Sequence, residues 1–210
     1  MIRLYHAPGA CSTVVRIALE EAGAEFELVP VDFANAEQRG EAFRAINPNG
    51  RVPVLETGQG RLTESVAILD WIARRWPEAG LAPLDDAWAM AQMVSFNAFV
   101  ASSIHPAYAH VSRPERYAEG EAAAAAMKAR APDALAGFYR IVEDRLSDGR
   151  PWLLGQSYSL SDPYLMWITG WIMFRELLDM EQFPLTAAHR LRTRERPVVR
   201  SILERESAHY

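Results

Sequence analysis

Three short segments carry side chains whose types and positions could do chemistry. The first is Cys11-Ser12. Cys11 is the chain's one cysteine, and it falls where a strand and loop feed the first turn of a helix. A thiol there meets the positive end of the helix dipole and backbone N–H groups without intrahelical partners, and both favour the thiolate. The position equally suits a small buried apolar residue, as free cysteines often are. Ser12 could donate to a sulfur anion or cap the helix. The second segment is Val52-Pro53. A proline opening a strand after a turn cannot donate to the sheet. The pair is either an ordinary trans edge proline or a cis bond beside which an extended peptide could lie as an added strand. The third is Glu64-Ser65, at a helix start. Free N–H groups and a hydroxyl make a site for a carboxylate, and the glutamate suits a cationic amine, so the pair fits an α-amino-acid end. A plain N-cap with a dipole-favoured Glu would look the same.

These segments need a scaffold, and the first 77 residues read as one. Ile2 and Leu4 alternate as in a short strand, and a helix spans about 11–22 with Gly23 as its stop. Residues 26–33 alternate again, with Pro30 marking an edge or an irregularity. A weak helix over 37–46 is closed by Asn47-Pro48-Asn49-Gly50, strong turn chemistry. Val52–Leu55 and Arg61-Leu62, linked through Gly58-Gln59-Gly60, form a hairpin pattern. A helix carrying Val66, Leu69, Ile72 and Ala73 follows. The order is βαβ, helix, ββα. Residues 78–86, in and after a stretch rich in proline, read as a linker, and 87–210 as an all-helical domain. Long helices are expected over about 86–104, 121–146 with Pro132 breaking or kinking it, and 160–178. Met93 and Phe96 read as core positions.

Composition narrows the function. Half of the 210 residues are hydrophobic, 23% are charged and the net charge is −5, an ordinary globular balance. A mildly acidic surface argues against nucleic acid as the main partner, because phosphate binding needs a basic stripe. One cysteine cannot form an internal disulfide, which fits a reducing compartment. No apolar run reaches the roughly 18–20 residues of a membrane span, and the alternating start carries no signal-peptide pattern. The expected location is the cytoplasm, with no membrane partner and no metal.

Taken together, the segments resemble the cytosolic glutathione S-transferases, and among them the bacterial beta class. Pro8-Gly9-Ala10-Cys11-Ser12 is similar to that class's N-terminal signature, Asn47-Pro48-Asn49-Gly50-Arg51-Val52-Pro53-Val54-Leu55 to its approach to the third strand, and Leu62-Thr63-Glu64-Ser65-Val66-Ala67-Ile68 to its γ-glutamyl site. The resemblance implies a thioredoxin-like domain followed by an all-α domain that contributes the electrophile site. It implies glutathione as co-substrate and no metal, with Cys11 and Ser12 facing its sulfur, Val52 pairing with its cysteinyl backbone, Pro53 cis, and Glu64 with Ser65 holding its γ-glutamyl end. Arg51 joins the glutathione-binding set. His105, at the end of the first long helix of the second domain, matches a histidine near the class's active cleft. Ser159-Leu160-Ser161-Asp162 is similar to a family capping box, a structural element that starts a core helix. The implied activity is conjugation of glutathione to small, mostly hydrophobic electrophiles by a homodimer, in detoxification. A thiol–disulfide reductase using Cys11 and a non-catalytic ligand-binding protein are the competing readings. The chain departs from the class pattern at Asn35, Ala36 and Ala98, positions associated with glycine-end and cleft contacts.

Overall fold

A computed structural model describes residues 1–206. Its contacts divide the chain into two units, Met1–Met90 with the stretch from Arg196 onward, and Ala91–Glu195.

The first unit is built on a four-stranded sheet in the order β2-β1-β3-β4. The strands are β1 (Arg3–His6), β2 (Glu27–Pro30), β3 (Val54–Thr57) and β4 (Gly60–Thr63). β1 runs parallel to β2 and antiparallel to β3, and β3 and β4 form a hairpin. Pro30 sits at the end of edge strand β2, where its missing N–H costs no ladder bond. Helix α1 (Ser12–Glu21) packs its apolar residues Val14, Val15, Ile17 and Leu19 inward, and all are fully buried. It ends at Gly23, in the left-handed region at φ 65°. There Ala24 N–H bonds Leu19 and Gly23 N–H bonds Glu20, the paired stop that glycine permits.

The weak helix expected over 37–46 resolves into a 3₁₀ turn, Glu37–Arg39, and the single turn α2 (Glu41–Arg44). Gly50 closes the following turn at φ 60°. A Cβ there would lie 2.6 Å from the Gln38 carbonyl oxygen, so no other residue fits without a shift. Helix α3 (Ser65–Arg75) buries Ile68, Leu69 and Ile72. The βαβ, helix, ββα order is thioredoxin-like, as expected.

The second unit is helical. α4 (Ala87–Phe99) passes into a π turn, Val100–Ile104, and then α5 (His105–Ser112), so the helix expected to stop near 104 runs on. Pro106 explains the wide turn. It has no N–H to give the carbonyl four residues back, and its ring clashes with that carbonyl. α6 (Glu121–Leu146) continues through Pro132 unbroken, flanked by alanine-rich turns that favour helix. Met93, Phe96 and Trp167 are core residues. α7 (Ser161–Phe174) begins at the expected box and ends earlier than expected, followed by α8 (Pro184–Arg194). The last helix, α9 (Pro197–Arg205), buries Val199, Ile202 and Leu203 and packs on α1. Its contacts group it with the first unit, while the sequence pattern alone groups it with the other helices of 87–210.

Candidate active site

The sheet topology gathers the three chemical segments. β1 leaves the sheet at His6 and β3 enters it at Val54, opposite Tyr5. β4 leaves at Thr63, also opposite Val54. The Cys11 loop, Val52-Pro53 and Glu64-Ser65 therefore lie at one end of the sheet. α1 and α3 both begin there, so two sets of unpaired helix N–H groups point to the same end. Packing ties the segments together, because Ala7, Val52 and Val54 share one buried cluster with Phe43 and Val31, flanked by Tyr5 and Ala10.

Cys11 is the N-terminal flanking residue of α1 and is buried. Ser12 opens α1 beside it. Its side chain is fully buried, and its hydroxyl accepts from Ala7 N–H at 3.1 Å and donates to Ala7 C=O at 3.3 Å. Ser12 thereby fastens the loop that carries Cys11. The Val52–Pro53 bond is cis. Val52 precedes the paired stretch of β3, which starts at Val54, so its backbone groups fall outside that ladder. Arg51 is exposed, and its carbonyl accepts from Asn47 Nδ2 at 2.7 Å.

Glu64 is exposed and holds φ 66°, ψ 116°, a conformation uncommon for a residue with a Cβ. Such strain persists only where its surroundings enforce it, and it concentrates at ligand sites. Ser65, next in sequence, is buried at the first position of α3.

His105 belongs to the second unit and is taken there by itself. It opens α5 after the π turn, half-buried, with its ring 5.3 Å from that of Trp171 at an interplanar angle of 63°.

Two positioning features escaped the sequence. Asn47 is buried, gives its amide to Arg51 C=O and accepts Asn49 N–H at 3.1 Å, so one side chain holds the turn that delivers Val52. The Asn-Pro-Asn-Gly run signalled the turn but not this role. The other is Glu206, whose carboxylate takes a hydrogen bond from Thr13 Oγ1 at 2.9 Å and Arg16 Nη1 at 3.1 Å and lies 3.1 Å from His6 Nε2. His6 and Thr13 flank the Cys11 loop, so the chain's last described residue braces it from both sides. No local pattern signals a contact across that separation.

The N-terminal domain family of the glutathione S-transferases matches residues 1–74. A curated relative, glutathione S-transferase GstA of Escherichia coli O157:H7, is 30% identical over 98% of both chains. A solved glutathione transferase homologue from Sulfitobacter, with bound glutathione, is 38% identical, covers 98% of both chains and superposes with a TM-score of 0.90. A bacterial beta class enzyme from Sphingomonas chungbukensis is 33% identical with a TM-score of 0.84, covering 99% of this chain and all of that one. The chain belongs to the cytosolic glutathione S-transferase family and is a glutathione transferase. Among the described residues no group of His, Cys, Asp and Glu is placed to hold a metal ion, and no helix is long and apolar enough to cross a membrane.

Proposed function

We propose that the chain binds glutathione at this end of the sheet and conjugates its thiolate to small, mostly hydrophobic electrophiles. The observation that carries the reading is the convergence of Cys11, Val52-Pro53 and Glu64-Ser65 where two helices begin. The γ-glutamyl carboxylate would take the Ser65 hydroxyl and the free N–H groups of α3, a site suited to an anion. Glu64 would take the ammonium. Val52 would hydrogen-bond the cysteinyl backbone in the manner of an added strand. That places the sulfur beside Cys11 and the first N–H groups of α1. A free thiol is only a few per cent ionised at pH 7. Donors that favour the anion raise that fraction, about tenfold per pKa unit. That work falls to Cys11, Ser12 and the backbone of α1. His105 would act from the helical unit, and Arg51 on the tripeptide. The family likeness also supports a homodimer working in the cytoplasm in detoxification, and the exposed Trp88 at the start of α4 offers an apolar surface for association.

Calorimetric titration of glutathione into wild type and Ser65→Ala tests the reading. Affinity should fall at least about tenfold, as expected for losing a hydrogen bond to a charged group worth roughly 1.5–3 kcal/mol. Unchanged affinity would remove the γ-glutamyl assignment.

A further inference from the structure

Helix α8 packs on α6 and α7, and the residues it buries are all polar: Thr186, His189, Arg190 and Thr193. Two of them have a clear partner. His189 Nε2 lies 2.7 Å from the Asp162 carboxylate, and Thr193 Oγ1 donates to His189 C=O at 2.9 Å. Thr186 and Arg190, one turn apart on the same face, do not. The Thr186 hydroxyl and Arg190 Nε are closed off from solvent and make no hydrogen bond among the described residues.

Arg190 stands out because it is a charge. Among the described residues two arginines are buried, each 8% exposed, and they are provided for in opposite ways. Arg16 lies between two carboxylates, its Nε 2.9 Å from Glu20 and its Nη1 3.1 Å from Glu206. Arg190 makes no ion pair among the described residues. An exposed arginine without a carboxylate is solvated by water and needs no partner. A buried one carries an uncompensated charge, and a guanidinium does not shed its proton at neutral pH to escape it. Burial, and after it the charge of Arg194 one turn on, pushes the Arg190 pKa down to about 10, against an opposing pull from Tyr139.

The neighbouring groups do not supply the missing charge. Tyr139 shares its hydroxyl with Thr169 at 2.8 Å, and burial drives its pKa further up, so it stays neutral. Glu143 of α6 is committed to the start of α8, where its two oxygens accept Leu185 N–H at 3.1 Å and Thr186 N–H at 2.7 Å. Nη1 and Nη2 of Arg190, unlike Nε, keep contact with solvent. Together they form one edge of the guanidinium fork, which matches two oxygens of a carboxylate or phosphate.

We propose that Arg190 is the recognition residue of an oxyanion site within the helical unit, built from residues that the glutathione reading does not use, and that it takes a phosphate or carboxylate group across Nη1 and Nη2. The bound anion supplies the counter-charge that Glu20 and Glu206 supply to Arg16.

The test follows urea unfolding at pH 7 and one protein concentration, with chloride replaced stepwise by inorganic phosphate or by acetate at constant ionic strength. An anion that binds the folded state raises the midpoint as its concentration passes Kd. The wild-type midpoint should rise and saturate with phosphate, acetate or both, and the anion that acts identifies the ligand group. In Arg190→Met, half of the rise should need at least about tenfold more anion, the scale of a hydrogen bond to a charged group. Arg190→Lys keeps the charge and loses the fork, so it should fall between the two. Arg140→Met, which removes an exposed arginine of α6, should stay within about twofold of wild type, as a surface substitution does. No saturable rise in wild type with either anion overturns the inference, as does a rise undiminished in Arg190→Met or one that Arg140→Met removes equally. If Arg190→Met does not fold, Arg190→Lys decides: weaker binding than wild type upholds the site, and equal binding overturns it.

Discussion

Asp162 in the helical unit and Glu206 in the first unit are both buried carboxylates, and they are satisfied in different ways. In the helical unit, Asp162 is fully buried. Its Oδ2 accepts Ser159 N–H at 2.7 Å and Ser159 Oγ at 3.1 Å, and its Oδ1 accepts Leu153 N–H at 2.9 Å and lies 2.7 Å from His189 Nε2. In the first unit, the Glu206 side chain is 2% exposed and is held by Thr13, Arg16 and His6. Either group would be prohibitively costly to bury alone, so the donors are what make each position tenable. Asp162 draws two of its bonds from its own turn and is half-assembled as soon as α7 nucleates. Glu206 draws all of its bonds from the opposite end of the sequence, so its site exists only once α9 has docked on α1. The first carboxylate starts a helix. The second closes the chain over the loop that carries Cys11.

Removing Asp162 should do the most damage. Asp162→Ala leaves Ser159, Leu153 and His189 without their acceptor in a closed interior, and about 3–5 kcal/mol should be lost, as when one partner of a buried charged pair is removed. Urea unfolding followed by circular dichroism would measure it. Ser159→Ala sharpens the point, because it removes one donor and leaves the carboxylate's other bonds, and its cost should stay near the ~1 kcal/mol of a lost cap. A Ser159→Ala loss as large as that of Asp162→Ala would mean that the local turn, not the long-range bonds to Leu153 and His189, carries the stability.

Glu206 comes next. Desolvation pushes its carboxyl pKa up, but the hydrogen bonds and charges of His6, Thr13 and Arg16 outweigh burial and hold it below the usual glutamate value. A depressed folded-state pKa stabilises the fold above the unfolded value, near 4.3, and that contribution is lost as pH falls toward the lower folded value. Glu206→Gln should therefore cost about 1.5–3 kcal/mol at pH 7, the range for hydrogen bonds to charged groups. The difference from wild type should shrink as the pH falls below about 4.3. The same variant should weaken glutathione binding, because the Cys11 loop loses a brace. A difference in stability that is flat from pH 7 to pH 3 would show that the carboxylate's charge does not matter.

The contrast between the carboxylates also separates what the sequence revealed from what it withheld. Ser159-Leu160-Ser161-Asp162 was readable because a capping box is closed within three residues, and its spacing alone fixes the geometry. The sheet-end segments were readable for a similar reason. Each sits at a strand or helix boundary with its own turn residues, and the βαβ–ββα order brings the boundaries together. The bonds of Ser12 to Ala7 were not legible because they depend on how a five-residue loop folds back. The run of helix beyond 104 was not legible because the π turn at Val100–Ile104, with which the chain absorbs Pro106, shifts the 3.6-residue register that marks the helix up to that point. The placement of α9 and the bonds of Glu206 depend on contacts across almost the whole chain, which no local pattern encodes.

The smallest expected effect lies at the far end of the helix that Asp162 begins. α7 closes with Leu177 N–H bonding Ile172 and Glu176 N–H bonding Met173, the stop that elsewhere uses glycine. Here the left-handed position is filled by Glu176 at φ 52°. A side chain with a Cβ pays roughly 1–2 kcal/mol in that conformation. Against this, glycine adds freedom to the unfolded chain worth about 0.4–1 kcal/mol. Glu176→Gly should thus stabilise by about 0.5–1 kcal/mol, read as a raised midpoint in urea at unchanged slope. Because this closure is local, the gain should add to the loss from Glu206→Gln within about 0.3–0.5 kcal/mol. Failure of additivity would show that the end of α7 is coupled to the C-terminal clasp. The division between a locally closed carboxylate and a chain-closing one would then not hold.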